Sequence, residues 1–309
     1  MDWTDTHCRT FWRGLSKQAR LYTEMVNVHA LLHGDVKKHL QFNPNEHPIA
    51  LQLGGAKPAQ LAECAALAEG WGYDEVNLNC GCPSDRVLEG RFGACLMLEP
   101  KLVAQMVREM RAATRLPVTV KHRVGIDDSE EYPFLKAFVE TVAEAGCEVF
   151  IVHARKAWLQ GLSPKENREV PPLTYEHVYR LKQDFPQLTV VINGGIKTMQ
   201  HCQQHLQQVD GVMLGREIYE NPWRLSEVDL ALFDQPAPVE TREQALRAVQ
   251  SHAEAHVGQG GRLHHVTRHV LGLYKGEVGG RAFRRMLSEG QHDDDWALVE
   301  EALDAVLAA

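Results

Sequence analysis

Seven short apolar runs recur along most of the chain, separated by longer amphipathic stretches, and this alternation limits the fold more than any other feature. The runs are ARLYTEM, PIALQLGG, EVNLNCG, PVTVKHRV, EVFIVHAR, TVVINGG and GVMLGR. Most are nearly continuous in apolar residues, as strands of a parallel sheet buried on both faces must be. Between them lie helical patterns such as KPAQLAECAALAEGWG and PKLVAQMVREMRAAT. In the first, Leu61, Ala65, Leu67 and Ala68 share a face, and Gly70 and Gly72 supply a stop. Strand and helix in alternation predict an α/β fold. A doubly wound sheet would gather its functional residues at one switch point. Here polar residues sit at the C-terminal ends of nearly every strand, which favours a (β/α)8 TIM barrel with one shared mouth.

The pattern changes near Gln235–Glu240, where two prolines interrupt the chain and strand-like runs cease. The expected organisation is a barrel domain over 1–235 and a small helical domain over 236–309. At 309 residues the chain has the length for both. No run reaches the roughly 18 apolar residues needed to span a bilayer, so no membrane role is expected. The N-terminus lacks the basic and apolar segments of a secretory signal. Seven irregularly spaced cysteines do not resemble a disulfide framework, which predicts reduced thiols and a cytoplasmic protein. A formal charge of −8 argues against nucleic-acid binding by the whole surface, though a local basic patch is compatible with it.

The strand ends supply the candidate chemistry. Gln52 ends the second run, Asn79 the third, and Cys82 lies in the Cys-Gly-Cys-Pro turn beyond it. Lys121 and Arg123 follow in VTVKHR, then His153 and Arg155 in FIVHAR. The last two runs end in Asn193, Gly194 and Gly195 and in Gly215 and Arg216. Such a set suits a hydrogen-bonding mouth better than a core. Glycine turns after the last strands of a barrel are where phosphate is held, because the backbone can approach the anion closely. Arg216 would add a charge-assisted bond. The tail carries Arg262, Arg268, Arg281, Arg284 and Arg285, a candidate basic patch whose bland alternative is a solvated helix face. His264, His265 and His269 bring no cysteine or carboxylate set with them, and no metal site is expected.

With these residues in view, NLNCGCPSDRV, VKHRVG, VHAR, SPKENREVPPL, INGGI and DGVMLGREIYENPW resemble the flavin-dependent tRNA dihydrouridine synthases, in particular their A-type bacterial branch. The resemblance covers nearly the whole chain. It implies FMN-dependent reduction of the C5=C6 bond of uridine in the tRNA D-loop, at positions 20 and 20a, with NADPH (or NADH) as reductant. It further implies hydride transfer to C6 and a proton delivered to C5 by Cys82. Cys80 would flank the site or pack against its wall, and Cys95, ahead of an apolar run, would be buried. By motif position Gln52, Lys121, His153, Asn193, Gly194, Gly195, Gly215 and Arg216 would hold the flavin. Asn79, Lys165, Arg168, Arg281 and Arg284 would contact tRNA, and the protein would act as a monomer.

Members of that family begin with a strand ending in Ala-Pro-Met-Met before an Asp-Trp-Thr-Asp segment, whereas this sequence starts Met1-Asp2-Trp3-Thr4-Asp5. The first strand of the barrel is therefore expected to be missing from the chain. Two other functions fit the residues alone. One is a Schiff-base aldolase that uses Lys121 as its amine. The other is a non-catalytic tRNA-binding protein that keeps the fold and the basic tail.

Overall fold

The computed structural model describes residues 3–84, 90–129 and 131–309. Seven strands form one sheet in the order of the chain: β1 Leu21–Asn27, β2 Ile49–Gly54, β3 Glu75–Cys80, β4 Val118–Arg123, β5 Val149–His153, β6 Thr189–Asn193 and β7 Gly211–Met213. From β2 to β7 every neighbouring pair is parallel. Each expected run forms its strand, and helices such as Pro58–Trp71 and Pro100–Ala113 make the crossovers. The first of these ends at Gly72, whose φ of 88° is the left-handed turn that glycine adopts without strain. The fold is that of an α/β barrel carrying seven strands.

The pleat sorts side chains by parity. His122 of β4 packs on Phe138 of the helix Glu131–Ala143, so its row faces the helices. Its register partner Cys80 belongs to that row with Leu78 and Val76, all fully buried. The opposite row of β3 is Glu75, Asn77 and Asn79, and Asn79 is paired in register with Lys121. Continuous burial of both rows accounts for the unbroken apolar runs on the helix side. It also forces the polar interior row to find hydrogen bonds.

By contacts the chain divides into two compact units. One comprises Tyr22–Gln41 and His47–Leu214, the other Met1–Leu21, Phe42–Glu46 and Gly215–Ala309. A division by composition falls at 235/236, whereas the division by contacts falls at Gly215 and takes in the N-terminal helix Thr6–Leu15. Buried polar groups explain the second arrangement. Asp229 accepts from the Ser16 hydroxyl and, at 2.7 Å, from the Lys17 amide. Arg9 pairs with Glu46 at 2.6 Å, and Arg13, 1% exposed, donates to the carbonyls of Glu46 and Ser16. The Asp229 bonds join residues over 200 positions apart without any apolar periodicity. Among the described residues no helix is long and apolar enough to cross a membrane.

Candidate active site

Beyond β3 the chain turns sharply. Asn79 Oδ1 accepts from the backbone N–H groups of both Gly81 and Cys82 at 3.0 Å, an Asx-type turn that holds the cysteine at the strand's C-terminal end. Cys82 is half-buried, with Sγ 3.4 Å from the Ser84 hydroxyl. Its carbonyl accepts from Ala94 N–H at 2.9 Å, which ties the turn to the segment Gly93–Leu98. Asp85, Arg86 and Val87, the end of the quoted motif, lie outside the described residues.

The other two thiols of this region have different settings. Cys80 is fully buried on the helix side of β3, and burial raises its pKa far above that of a free thiol. Cys95, expected to be buried, is half-exposed and directs its thiol at the Phe92 carbonyl, 3.2 Å away. The short helical turn from Gly93 carries it outward, while its neighbours Ala94 and Leu96 take the buried positions. Burial raises this thiol as well.

Lys121 enters from β4. Its ammonium makes no hydrogen bond or ion pair with a described residue. Burial, and secondarily the charge of Arg123, lower its pKa to about 8, against the opposing influence of Cys82. Arg123, 3% exposed, is the brace of this end of the barrel. It donates to Gly81 O at 3.1 Å, Lys156 O at 3.1 Å and Asn167 O at 2.9 Å. Asn167 is fully buried and folds its own loop, accepting from Trp158 N–H at 2.8 Å and donating to the carbonyls of Trp158 and Leu162. That loop leaves Lys165 and Arg168 exposed.

His153 stands in register with Arg123 on one side and Asn193 on the other. After Asn193 the backbone takes positive φ at Gly194 (119°) and Gly195 (69°). A Cβ on Gly194 would lie 2.7 Å from the His153 ring, so glycine is required there by both space and conformation. Tyr175 OH fixes the turn through the Gly194 carbonyl at 2.6 Å. Asn193 Nδ2 donates to Met213 O at 2.7 Å, linking β6 to β7. Gln52 donates to Asn77 Oδ1 at 2.8 Å and accepts from Asn79 Nδ2 at 2.9 Å. The mouth thus gathers Cys82, Gln52, Asn79, Lys121, His153 and the Asn193–Gly195 turn within one unit. Gly215 and Arg216, at the head of the helix Arg216–Glu220, belong to the other unit.

The tail residues separate into two groups. Arg262 is bound to Asp294 at 2.7 Å and Arg268 to Asp5 at 2.5 Å, so neither is a free cation for phosphate. Arg281, Arg284 and Arg285 lie exposed on the helix Gly280–Glu289, whose other face buries Phe283 and Leu287. None of the three is ion-paired to a described residue. No cluster of His, Cys, Asp or Glu able to hold a metal ion occurs among the described residues.

Residues 1–308 match the model of the dihydrouridine synthase family. The chain belongs to that family. It is 58% identical over 306 residues to a tRNA-dihydrouridine(20/20a) synthase of Xanthomonas axonopodis pv. citri (strain 306), covering 98% of this chain and 91% of the relative. It is 56% identical over 309 residues to one of Yersinia pestis, covering 99% and 89%. A Pseudomonas putida relative of the same name is 58% identical over 306 residues, covering 98% and 91%. As a dihydrouridine synthase the chain is an oxidoreductase, and its alternation of strands and helices is that of an α/β barrel. Strand-end reading found most of this mouth. It missed Asn167, and it missed Glu75, Asn77 and Thr119 below, although the alternation Glu75-Asn77-Asn79 in EVNLN marks one polar face.

Proposed function

We propose that this enzyme reduces the C5=C6 bond of uridine at positions 20 and 20a of the tRNA D-loop, with FMN as its cofactor and NADPH as reductant. The relatives' names support the substrate. The observation that carries the chemistry is the Cys82 turn beside the buried Lys121 ammonium, which pairs with no described residue, at a polar barrel mouth.

The residues present suit a flavin phosphate ester. Lys121 is a cation with no hydrogen bond or ion pair to a described residue, placed where an anionic ring would complete it. At the Gly194–Gly195 turn, at the end of β6, positive φ and the close-packed His153 and Leu173 leave room for no side chain, and such a glycine turn is one that an anion can approach. Gln52 retains one amide hydrogen and one lone pair beyond its two bonds to asparagines. Bound there, a reduced flavin would supply hydride to C6 of the uracil.

Cys82 then holds the proton that C5 must receive. A thiol that donates it becomes a thiolate, and the nearby cation of Lys121 steadies that charge. Cys80 is on the wrong face of β3 to do this. Lys165 and Arg168 on the 157–168 loop, and Arg281 and Arg284 on their helix, present charge for phosphates of the tRNA. Asn79 is committed to the turn and to Gln52, with a single amide hydrogen left to offer a base.

Cys82→Ala tests the assignment. The variant should bind flavin and oxidise NADPH normally while dihydrouridine formation falls about 10²- to 10⁴-fold. Cys80→Ala and Cys95→Ala should act far more weakly. Loss of turnover in Cys95→Ala with retention in Cys82→Ala would reassign the acid.

A further inference from the structure

A single file of buried and half-buried polar side chains runs from the interior of the sheet to the Cys82 turn, and all its hydrogen bonds point one way. The amides of Gly81 and Cys82 donate to Asn79 Oδ1, and Asn79 Nδ2 donates to Gln52 Oε1 at 2.9 Å. Gln52 Nε2 donates to Asn77 Oδ1 at 2.8 Å, and Asn77 Nδ2 to Thr119 Oγ1 at 2.8 Å. Thr119 Oγ1 donates to Glu75 Oε1 at 2.7 Å, and the Tyr22 hydroxyl reaches the same oxygen at 2.8 Å. Asn77 is fully buried and Thr119 is 1% exposed, so neither can turn to water for a substitute partner.

The direction is fixed from both ends. Backbone N–H groups at the turn can only donate, and Glu75 Oε1 accepts from the hydroxyls of both Thr119 and Tyr22. Thr119 has one proton and gives it to Glu75, so towards Asn77 it can only accept. Asn77, Gln52 and Asn79 must then each present oxygen towards the turn's side of the file and NH2 towards Glu75. Reversing any one amide would set oxygen against oxygen or N–H against N–H. In a low-dielectric interior such chains polarise each other in the common sense.

We infer that Thr119 and Asn77 are positioning residues for the Cys82 turn, acting through Gln52 and Asn79 and anchored on Glu75. Asn77 lies two residues before Asn79 on β3 with Thr119 beside it in register on β4, and both are buried below the mouth's open surface. Their effect is to hold the orientation of the Asn79 amide, and through it the two N–H groups that shape the turn. The same file fixes which end of Gln52 faces which neighbour. The catalytic consequence rests on the reading of Cys82 as the proton donor, while the structural link to the turn does not.

Thr119→Val removes the hydroxyl and keeps the shape, and Thr119→Ser restores the hydroxyl. In the full-length enzyme, Thr119→Val should speed hydrogen exchange at Gly81–Cys82 and raise iodoacetamide labelling of Cys82, mapped by mass spectrometry, several-fold. Turnover of tRNA should fall about tenfold with KM for tRNA unchanged, and Thr119→Ser should bring all three back towards the unsubstituted enzyme. Thr119→Ala, which adds no apolar methyl against Asn77, serves the same purpose if the valine variant does not fold. Unchanged exchange and labelling in a folded variant lacking the hydroxyl would overturn the inference. Full activity in Cys82→Ala would instead overturn the acid assignment, leaving the exchange and labelling results to decide this one.

Discussion

Lys121 shows how one residue's surroundings set a pH dependence. Burial is the larger influence and the Arg123 guanidinium the second, and together they bring the ammonium to about 8 from the ordinary lysine range. Below that pH Lys121 carries its charge, and above it the charge is lost. FMN affinity should therefore weaken about tenfold as pH rises through 8, the worth of one charge-assisted contact. Titration of flavin fluorescence from pH 6 to 10 measures it, and Lys121→Met should flatten the curve at the weak level. An identical pH response in Lys121→Met would remove the lysine from the cofactor's neighbourhood. The types of residue at strand ends were readable from sequence because Cys, Lys and His interrupt apolar runs. Thr119 was not, since a lone Thr inside a strand has no distinguishing spacing, and although Asn77 lies in the polar alternation Glu75-Asn77-Asn79, its partners appear only with the register of β2, β3 and β4.

At the scale of elements, the strands were legible because burial on both faces gives each a compact, largely apolar run between the helical patterns. Loops were not. The 157–168 loop is folded by Asn167 and braced by Arg123, two polar residues separated by 44 positions, and nothing in their spacing announces the pairing. The helix Gly280–Glu289 lies between these cases. Its apolar positions Phe283 and Leu287 define the buried face and leave Arg281 and Arg284 on the outside. Replacing both arginines with alanine should weaken tRNA binding while flavin spectrum and NADPH oxidation stay unchanged. Each lost phosphate contact should lower the slope of log affinity against log salt by about 0.7 to 0.9. Affinity titrations at several salt concentrations, on cognate and unrelated tRNA, report this directly. An unaltered slope in the double variant would make the arginines an ordinary solvated face. By contrast, Arg262→Ala should cost folding stability rather than RNA affinity, because its partner Asp294 is held below the usual carboxylate range chiefly by the Arg262 hydrogen bond.

For the molecule as a whole, the two units differ in how they meet acid. The unit containing both termini carries a histidine cluster that joins its N-terminal helix to its later helices. His7 Nδ1 lies 2.8 Å from His252 Nε2, and His256 Nε2 lies 3.0 Å from His265 Nδ1. His7 also packs edge-on against His256, and His264 against His265. Burial lowers all five, His7 to about 3, and repulsion from neighbouring imidazoles adds to it for His7, His252, His264 and His265. Asp5, close by, acts in the opposite sense on His7. Burial alone would raise its carboxyl, but His269, the Cys8 amide and Arg268 hold it well below the usual range. The unfolded chain accepts protons on these imidazoles at their ordinary 6.5, while the folded unit refuses them until lower pH. Stability is therefore complete above 6.5 and drains away as pH falls towards 3, with Asp5 adding its own loss below 3.8. Each histidine kept neutral contributes a slope of up to about 1.4 kcal/mol per pH unit. The sheet unit holds His122, lowered to about 4 by burial, and His205, a smaller set. Hydrogen exchange between pH 7.5 and 5 should accordingly show protection lost first in the helices Gln250–Gly258 and Thr6–Leu15, and later in β2 to β6. His252→Gln, which retains a hydrogen-bonding side chain beside His7 without a titrating ring, should reduce that difference. Parallel loss of protection in both units, unaffected by His252→Gln, would mean that the cluster does not set the acid limit of the fold.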